Sequence, residues 1–429
     1  MQFSPEDKLI LSCIKIHPSI VELEQINRLI HQVQNWEYLI STIIDRGIGP
    51  LLYQKLPNLS NNALIPQGVK TKLQQVYYKT VGRSTILYNH FGTIANAFVE
   101  HNIPVIALKG IYLSEWLYQD IGLRQFSDID LLVKPEDGLR CLSLLTLLGY
   151  KPSDSGETEF VKAQTEIIHY PPMVLEGVSV EIHIKLHGKY EEYHLPVEQL
   201  WKNVQSVQLN NVAVYTLSMN DLLIHLCVHL DKHFQAGHVQ FTCFNDITNL
   251  LEKQESSLNW DKFIETCRNY KCEVEVFRYI LVANKYMNAP VPASIIQKYD
   301  SILTNDVEEL FYKYLSGYTN TGFGSHVSTH VGNILKLESF ADKFRYAGDI
   351  LFPPKAFMIQ KYRLVDSSKL IVDSGESVVP KTRDVASSMG SGKNYKRQTI
   401  NYKLMFWRLW YPYRWWIGVK GLFRVISGQ

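Results

Sequence analysis

Residues 103–133 read IPVIALKGIYLSEWLYQDIGLRQFSDIDLLV, and the fold is best read outward from them. Apolar Val105 to Leu108 predict a strand that runs into Lys109 and Gly110. Leu113, Trp116 and Leu117 then recur at helical spacing. A second strand follows at Ser127-Asp128-Ile129-Asp130-Leu131. Successive strand side chains point to opposite faces, so Asp128 and Asp130 share one face, roughly 7 Å apart, while Ile129 and Leu131 share the other. Two carboxylates held in that way repel each other. A solvated strand end tolerates such a pair, and a divalent cation resolves it.

The chain is 429 residues long, which suggests two to three domains. It is 46% hydrophobic and 20% charged, as globular proteins are, and its net charge of +2 gives no overall argument for nucleic acid. Six cysteines (Cys13, Cys141, Cys227, Cys243, Cys267, Cys272) show no C-x-x-C pairing. That pattern fits reduced thiols in a cytoplasmic protein better than a disulfide framework or a zinc site. The N-terminal stretch is not a secretory signal, and no apolar run reaches the roughly 20 residues of a spanning helix.

Residues 1–85 read as a helical region, opened by the cap-like Ser4-Pro5-Glu6-Asp7. A long helix from about Gly68 to Glu100 delivers the chain to the central stretch. Lys134-Pro135 starts another helix, ended by Gly149, and residues 151–164 read as a loop. Strands are expected at Glu166–His169, at Met173–Leu175 and, after a Glu176-Gly177 turn, over Val178–Leu186, VSVEIHIKL. Glu181, His183 and Lys185 face one way on that last strand; Val178, Val180, Ile182 and Ile184 face the other. Helices are expected to dominate from about Pro196 to Leu370. The resulting division is an N-terminal helical region (1–85), an α+β core with a small mixed sheet (86–200), a C-terminal helical region (201–370), a flexible linker (371–400) and a basic aromatic tail (401–429).

Asp128, Asp130 and Glu181 sit on amphipathic strands whose acidic faces fit one face of one sheet. Such a set of hard oxygens suits Mg²⁺ or Mn²⁺. Two such ions can activate an attacking hydroxyl and hold a triphosphate. Lys109-Gly110 ahead of a helix adds an anion site, and Arg124 is suited to the remaining phosphate charge. His183, two residues from Glu181 on the same strand face, is expected to orient that acid.

The order of strand, glycine turn, helix, D-x-D strand and later acidic strand resembles the DNA polymerase β-like nucleotidyltransferase superfamily. More narrowly, LKG, LYQ, the Arg124 that precedes SDIDLLV, then LLGY, VEIHIKL and LLIHLCVHLDKH resemble an uncharacterised nucleotidyltransferase family of bacterial proteins. The likeness covers roughly residues 85–290 and, more loosely, extends to about 365. It implies a small mixed nucleotidyltransferase sheet flanked by helical regions. It further implies that Gly110 is the phosphate-turn glycine, that Asp128 and Asp130 are metal ligands, and that Glu181 is the third acid, a ligand and a candidate base for the incoming hydroxyl. The superfamily turn is usually Gly-Ser or Gly-Gly. Here it is Lys109-Gly110-Ile111, in which Lys109 substitutes by charge.

His225, His229 and His233 recur every four residues on one expected helix. Without an H-E-x-x-H pattern they are read as packing beside the active site, with His229, Lys232 and His233 as acceptor contacts. Gly390-Ser391-Gly392-Lys393 fails the P-loop pattern, and no G-x-S-x-G supports a serine hydrolase. The segment YKLMFWRLWYPYRWWIGVKGLFRV interleaves tryptophans with Arg408, Arg414, Lys420 and Arg424. That mixture suits a membrane surface or a partner protein, with self-docking next and nucleic acid less favoured.

The expected activity is metal-dependent transfer of a nucleoside monophosphate from an NTP to an acceptor hydroxyl, with release of pyrophosphate. The expected location is cytoplasmic, peripheral to the membrane if the tail binds it. Two rival readings are a nucleotide-binding scaffold tethered by its tail and a toxin-like transferase acting on tRNA.

Overall fold

A computed structural model describes residues 3–153, 168–188, 193–235 and 241–316, with a few positions between 339 and 346. The chain divides into one unit of Met1–Gly156 with Glu166–Thr329 and a second of Glu157–Thr165 with His330–Gln429. Everything below concerns the first. The linker, the basic aromatic tail and most of the expected 151–164 loop lie outside the described residues.

Among the described residues seven strands make one mixed sheet: β1 (Val105–Ala107), β2 (Asp128–Val133), β3 (Lys151–Pro152), β4 (Met173–Leu175), β5 (Val178–His183), β6 (Gln205–Leu209) and β7 (Val212–Thr216). Their order across the sheet is β3-β4-β5-β2-β1-β7-β6. β1 and β2 are antiparallel, whereas β2 and β5 are parallel. Local chemistry explains the turns. Glu176 and Gly177, at φ 51° and 76°, join β4 to β5, and Asn210 and Asn211, at φ 48° and 62°, join β6 to β7. Two-residue hairpins need left-handed positions, which Gly and Asn adopt most readily.

Helices surround the sheet. Ser4 caps Pro5–Ser12: its hydroxyl accepts from the Asp7 N–H at 3.1 Å, and the Asp7 carboxylate accepts from the Ser4 N–H at 3.0 Å. Such a reciprocal cap satisfies two helix-end donors at once. The long helix Gln67–Glu100 packs on β2, β5 and β7, and Gly138–Leu147 packs on β5. Ile129, Leu131 and Val133 of β2 and Val178, Val180 and Ile182 of β5 are wholly buried. The apolar face foreseen on both strands is therefore the core, which leaves the opposite face for chemistry.

The β6–β7 hairpin departs from the helical reading of the region after Pro196. β7 lies parallel beside β1, with Ile106 opposite Tyr215. Its alternation (Val212, Val214 and Thr216 buried, Ala213 and Tyr215 exposed) was short enough to be absorbed into neighbouring helical stretches. The last expected strand also ends early, at His183 rather than Leu186.

Candidate active site

Pairing between β2 and β5 places the acids. Asp130 lies opposite Glu181, and Asp128 opposite Ser179. Neighbours in a parallel ladder project to the same face, so Asp128, Asp130, Glu181 and His183 share the face turned away from the core. Arg83, on the long helix, holds the entry ends of both strands: its Nη2 donates to the Ser127 carbonyl at 2.8 Å and to the Gly177 carbonyl at 3.0 Å. Sequence reading missed this residue, because only the tertiary fold brings its helix to those two carbonyls.

Asp130 is the hub. One carboxylate oxygen is 2.9 Å from His183 Nε2 and the other is 2.9 Å from Lys109 Nζ. Glu181 Oε2 stands 3.6 Å from the same His183 nitrogen and 3.9 Å from His169 Nδ1. His183 thus contacts Asp130 more closely than Glu181, the acid it was expected to orient. Burial lowers His183, with Asp130 only partly offsetting it, so the ring is neutral at pH 7 and donates its Nε2–H to Asp130. Its Nδ1 is buried with no hydrogen-bond partner among the described residues. His169 had not been singled out. It reaches the site through an isolated bridge to His183.

Burial would raise the Asp130 carboxyl. The Lys109 ammonium and His183 outweigh it and hold the group well below the usual carboxylate range. Asp128 has no comparable partner among the described residues. Burial first, and the Asp130 charge second, push it up to about 6. An ionised Asp128 therefore opposes folding at neutral pH. Asp128→Asn is expected to stabilise the fold at pH 7 by about 1–3 kcal/mol. The gain should shrink as pH falls through 6 and vanish below about 4, where the carboxyl is protonated in both folded and unfolded chains. Urea titrations at pH 7.5 and pH 4 check this; equal stability of the two proteins at pH 7.5 would contradict it.

Lys109 opens the helix Lys109–Trp116 in a left-handed conformation, φ 37°, after the extended Leu108. Gly110 is buried, and a Cβ there would meet Phe126 side-chain carbons at 2.9 Å. Close packing on Phe126 is thus sufficient reason for a glycine at the turn. Arg124, read as a phosphate grip, is placed in a buried ion pair. Its Nε and Nη2 donate to the two Asp246 oxygens at 2.9 and 2.7 Å, and Tyr118 donates to the same carboxylate at 2.9 Å.

The histidine stripe lies on the helix Met219–Gln235. His225 and His229 are held well below the usual imidazole range by burial first, and then by the Lys109 charge. Neither ring nitrogen of the buried His225 has a hydrogen-bond partner among the described residues. His229 and His233 meet Nε2 to Nε2 at 3.1 Å, and Lys232 donates to the Leu186 carbonyl at 3.0 Å.

Asp130, Glu181 and His183 each offer one ligand atom, all within 4.8 Å of one another. Two carboxylates and an imidazole suit a divalent ion, and Asp128 shares the strand face of Asp130. The residues present fit a metal. The sequence profile of the family described as "uncharacterised nucleotidyltransferase" matches residues 32–288. The chain belongs to that family. Among solved structures, the chain is similar to the antibiotic-resistance factor ANT(2'')-Ia, at 13% identity and a TM-score of 0.31, over 48% of this chain and 98% of that one. It is also similar to an antigenic nucleotidyltransferase-like protein from Paracoccidioides brasiliensis, at 13% identity and a TM-score of 0.26, over 49% and 94% of the two chains. No curated protein matches it. No described helix of the chain is long and apolar enough to cross a membrane.

Proposed function

We propose that this chain transfers a nucleoside monophosphate from an NTP to an acceptor hydroxyl. The observation that supports this most is the register of Asp130 with Glu181 on adjacent parallel strands, with His183 and Lys109 on the same carboxylate. Asp130 and Glu181, with His183 and Asp128 beside them, would hold Mg²⁺ or Mn²⁺. Such an ion would supply positive charge to offset the charge that builds on the phosphates during transfer.

The chain's own groups do the rest. Glu181 takes the proton from the acceptor hydroxyl as its oxygen bonds to the α-phosphorus. The bond from that phosphorus to the bridging oxygen breaks, and pyrophosphate leaves with the electron pair. Lys109 and the N–H groups at the start of Lys109–Trp116 meet the phosphate oxygens; a helix N-terminus suits anions. His183 orients Asp130 through the 2.9 Å hydrogen bond. His229, Lys232 and His233 line the acceptor side. Arg124, engaged by Asp246, steadies the loop into β2.

Incubation with each α-³²P-labelled NTP and with small-molecule, protein and RNA pools tests the proposal. Label should appear in one pool only when Mg²⁺ or Mn²⁺ is present, and EDTA should abolish it. Tight NTP binding without transfer or pyrophosphate release would overturn it in favour of a nucleotide-binding scaffold.

A further inference from the structure

Both oxygens of the central carboxylate already have a partner. His183 Nε2 holds one at 2.9 Å and Lys109 Nζ the other at 2.9 Å. Each carboxylate oxygen has two lone pairs, so an incoming cation that ligates Asp130 can share an oxygen with a neutral donor but not readily with a second positive charge. His183 belongs to the same cluster of ligand atoms and can stay beside the ion. Lys109 cannot, because two positive centres on one buried carboxylate oxygen repel each other strongly in a poorly screened site.

The backbone points to the same residue. Lys109 sits at φ 37°, in the region that glycine enters freely and other L-residues enter at a cost. The very next residue is a glycine at an ordinary φ. Strain retained at a site is a sign that the side chain, not the backbone, is what the position requires. A lysine's ammonium rides on a flexible four-carbon stem, so it can leave Asp130 without moving the helix. From the first residue of Lys109–Trp116 it would swing among the N–H groups that face an anion.

We propose that Lys109 is an exchangeable internal cation. Its ammonium holds Asp130 while the site lacks a divalent ion, and it passes to the polyphosphate when ion and nucleotide enter together. This rests on the transferase reading given above. The consequence is coupling: each ligand strengthens the other because both draw on the same lysine, one by evicting it and the other by receiving it.

Mn²⁺ binding to the full-length chain, followed by electron paramagnetic resonance with and without a non-hydrolysable NTP, tests this. The wild type should bind Mn²⁺ weakly alone and at least tenfold more tightly with nucleotide. Lys109→Gln and Lys109→Met, either of which suffices if the other fails to fold, should bind Mn²⁺ alone about tenfold more tightly than the wild type, with most of the nucleotide enhancement lost. Lys109→Arg should behave as the wild type does. Nucleotide-free Mn²⁺ affinity that is unchanged or weaker in the neutral variants would overturn the exchange while leaving the transferase reading intact. Wild-type Mn²⁺ binding by Asp130→Asn would instead overturn the metal site itself, and the exchange with it.

Discussion

Asp130→Asn is expected to abolish nucleotidyl transfer, lowering the rate by about a thousandfold or more while leaving the chain folded. The size follows from the charge the position supplies. A carboxylate that holds a metal against a transferring phosphoryl group contributes several kcal/mol, and each 1.4 kcal/mol is tenfold in rate. The fold survives because Asn keeps the shape and one acceptor oxygen, and because Asp128 still lies near the Lys109 ammonium. Single-turnover transfer from a labelled NTP measures the rate, and circular dichroism checks the fold. Residual activity within tenfold of wild type would remove Asp130 from the reaction. Glu181→Gln makes a useful companion, since it spares the contacts of Asp130 with Lys109 and His183 while removing the proton acceptor and one ligand.

Asp246→Ala carries the largest expected loss of stability, about 3–5 kcal/mol, because it leaves the Arg124 guanidinium buried without its counter-ion. Asp246 is fully buried, Arg124 is 6% exposed, and Tyr118 donates to the same carboxylate. Burial would lower Arg124, yet Asp246 more than restores it, so the guanidinium keeps its charge. Removing both charges together, as Arg124→Met with Asp246→Leu, should recover most of the loss, since well-packed apolar groups often replace a buried pair at little cost. The denaturation midpoint in urea reads both effects. If Asp246→Ala unfolded at the wild-type midpoint, the pair would not hold the loop into β2. The double variant separates two roles for Arg124: restored stability with intact nucleotide affinity assigns it to the scaffold, and restored stability with lost affinity returns it to phosphate binding.

The acidic strand, the later VSVEIHIKL strand, the capped first helix and the long helix ahead of β1 were all legible from neighbouring residues. Each rests on a short-range rule, such as the two-residue period of a strand or the pairing of Ser4 with Asp7. The β6–β7 hairpin had a comparable signal in its alternation and its two asparagines. It was lost because helices flank it closely on both sides.

Residue types and spacing by themselves determined that Asp128 and Asp130 share a strand face, that Ile129 and Leu131 belong to the core, and that Glu181 lies on a matching strand. Which acid stands opposite Glu181 was decided only when β2 and β5 paired, because register between strands some fifty residues apart is set by burial of both apolar faces at once. The partners of the charged groups were decided at the same level. Lys109 meets Asp130, Arg124 meets Asp246, and Arg83 spans Ser127 and Gly177, none of them close in sequence. A buried charge must find compensation wherever the fold supplies it, and that choice has no local mark in the chain.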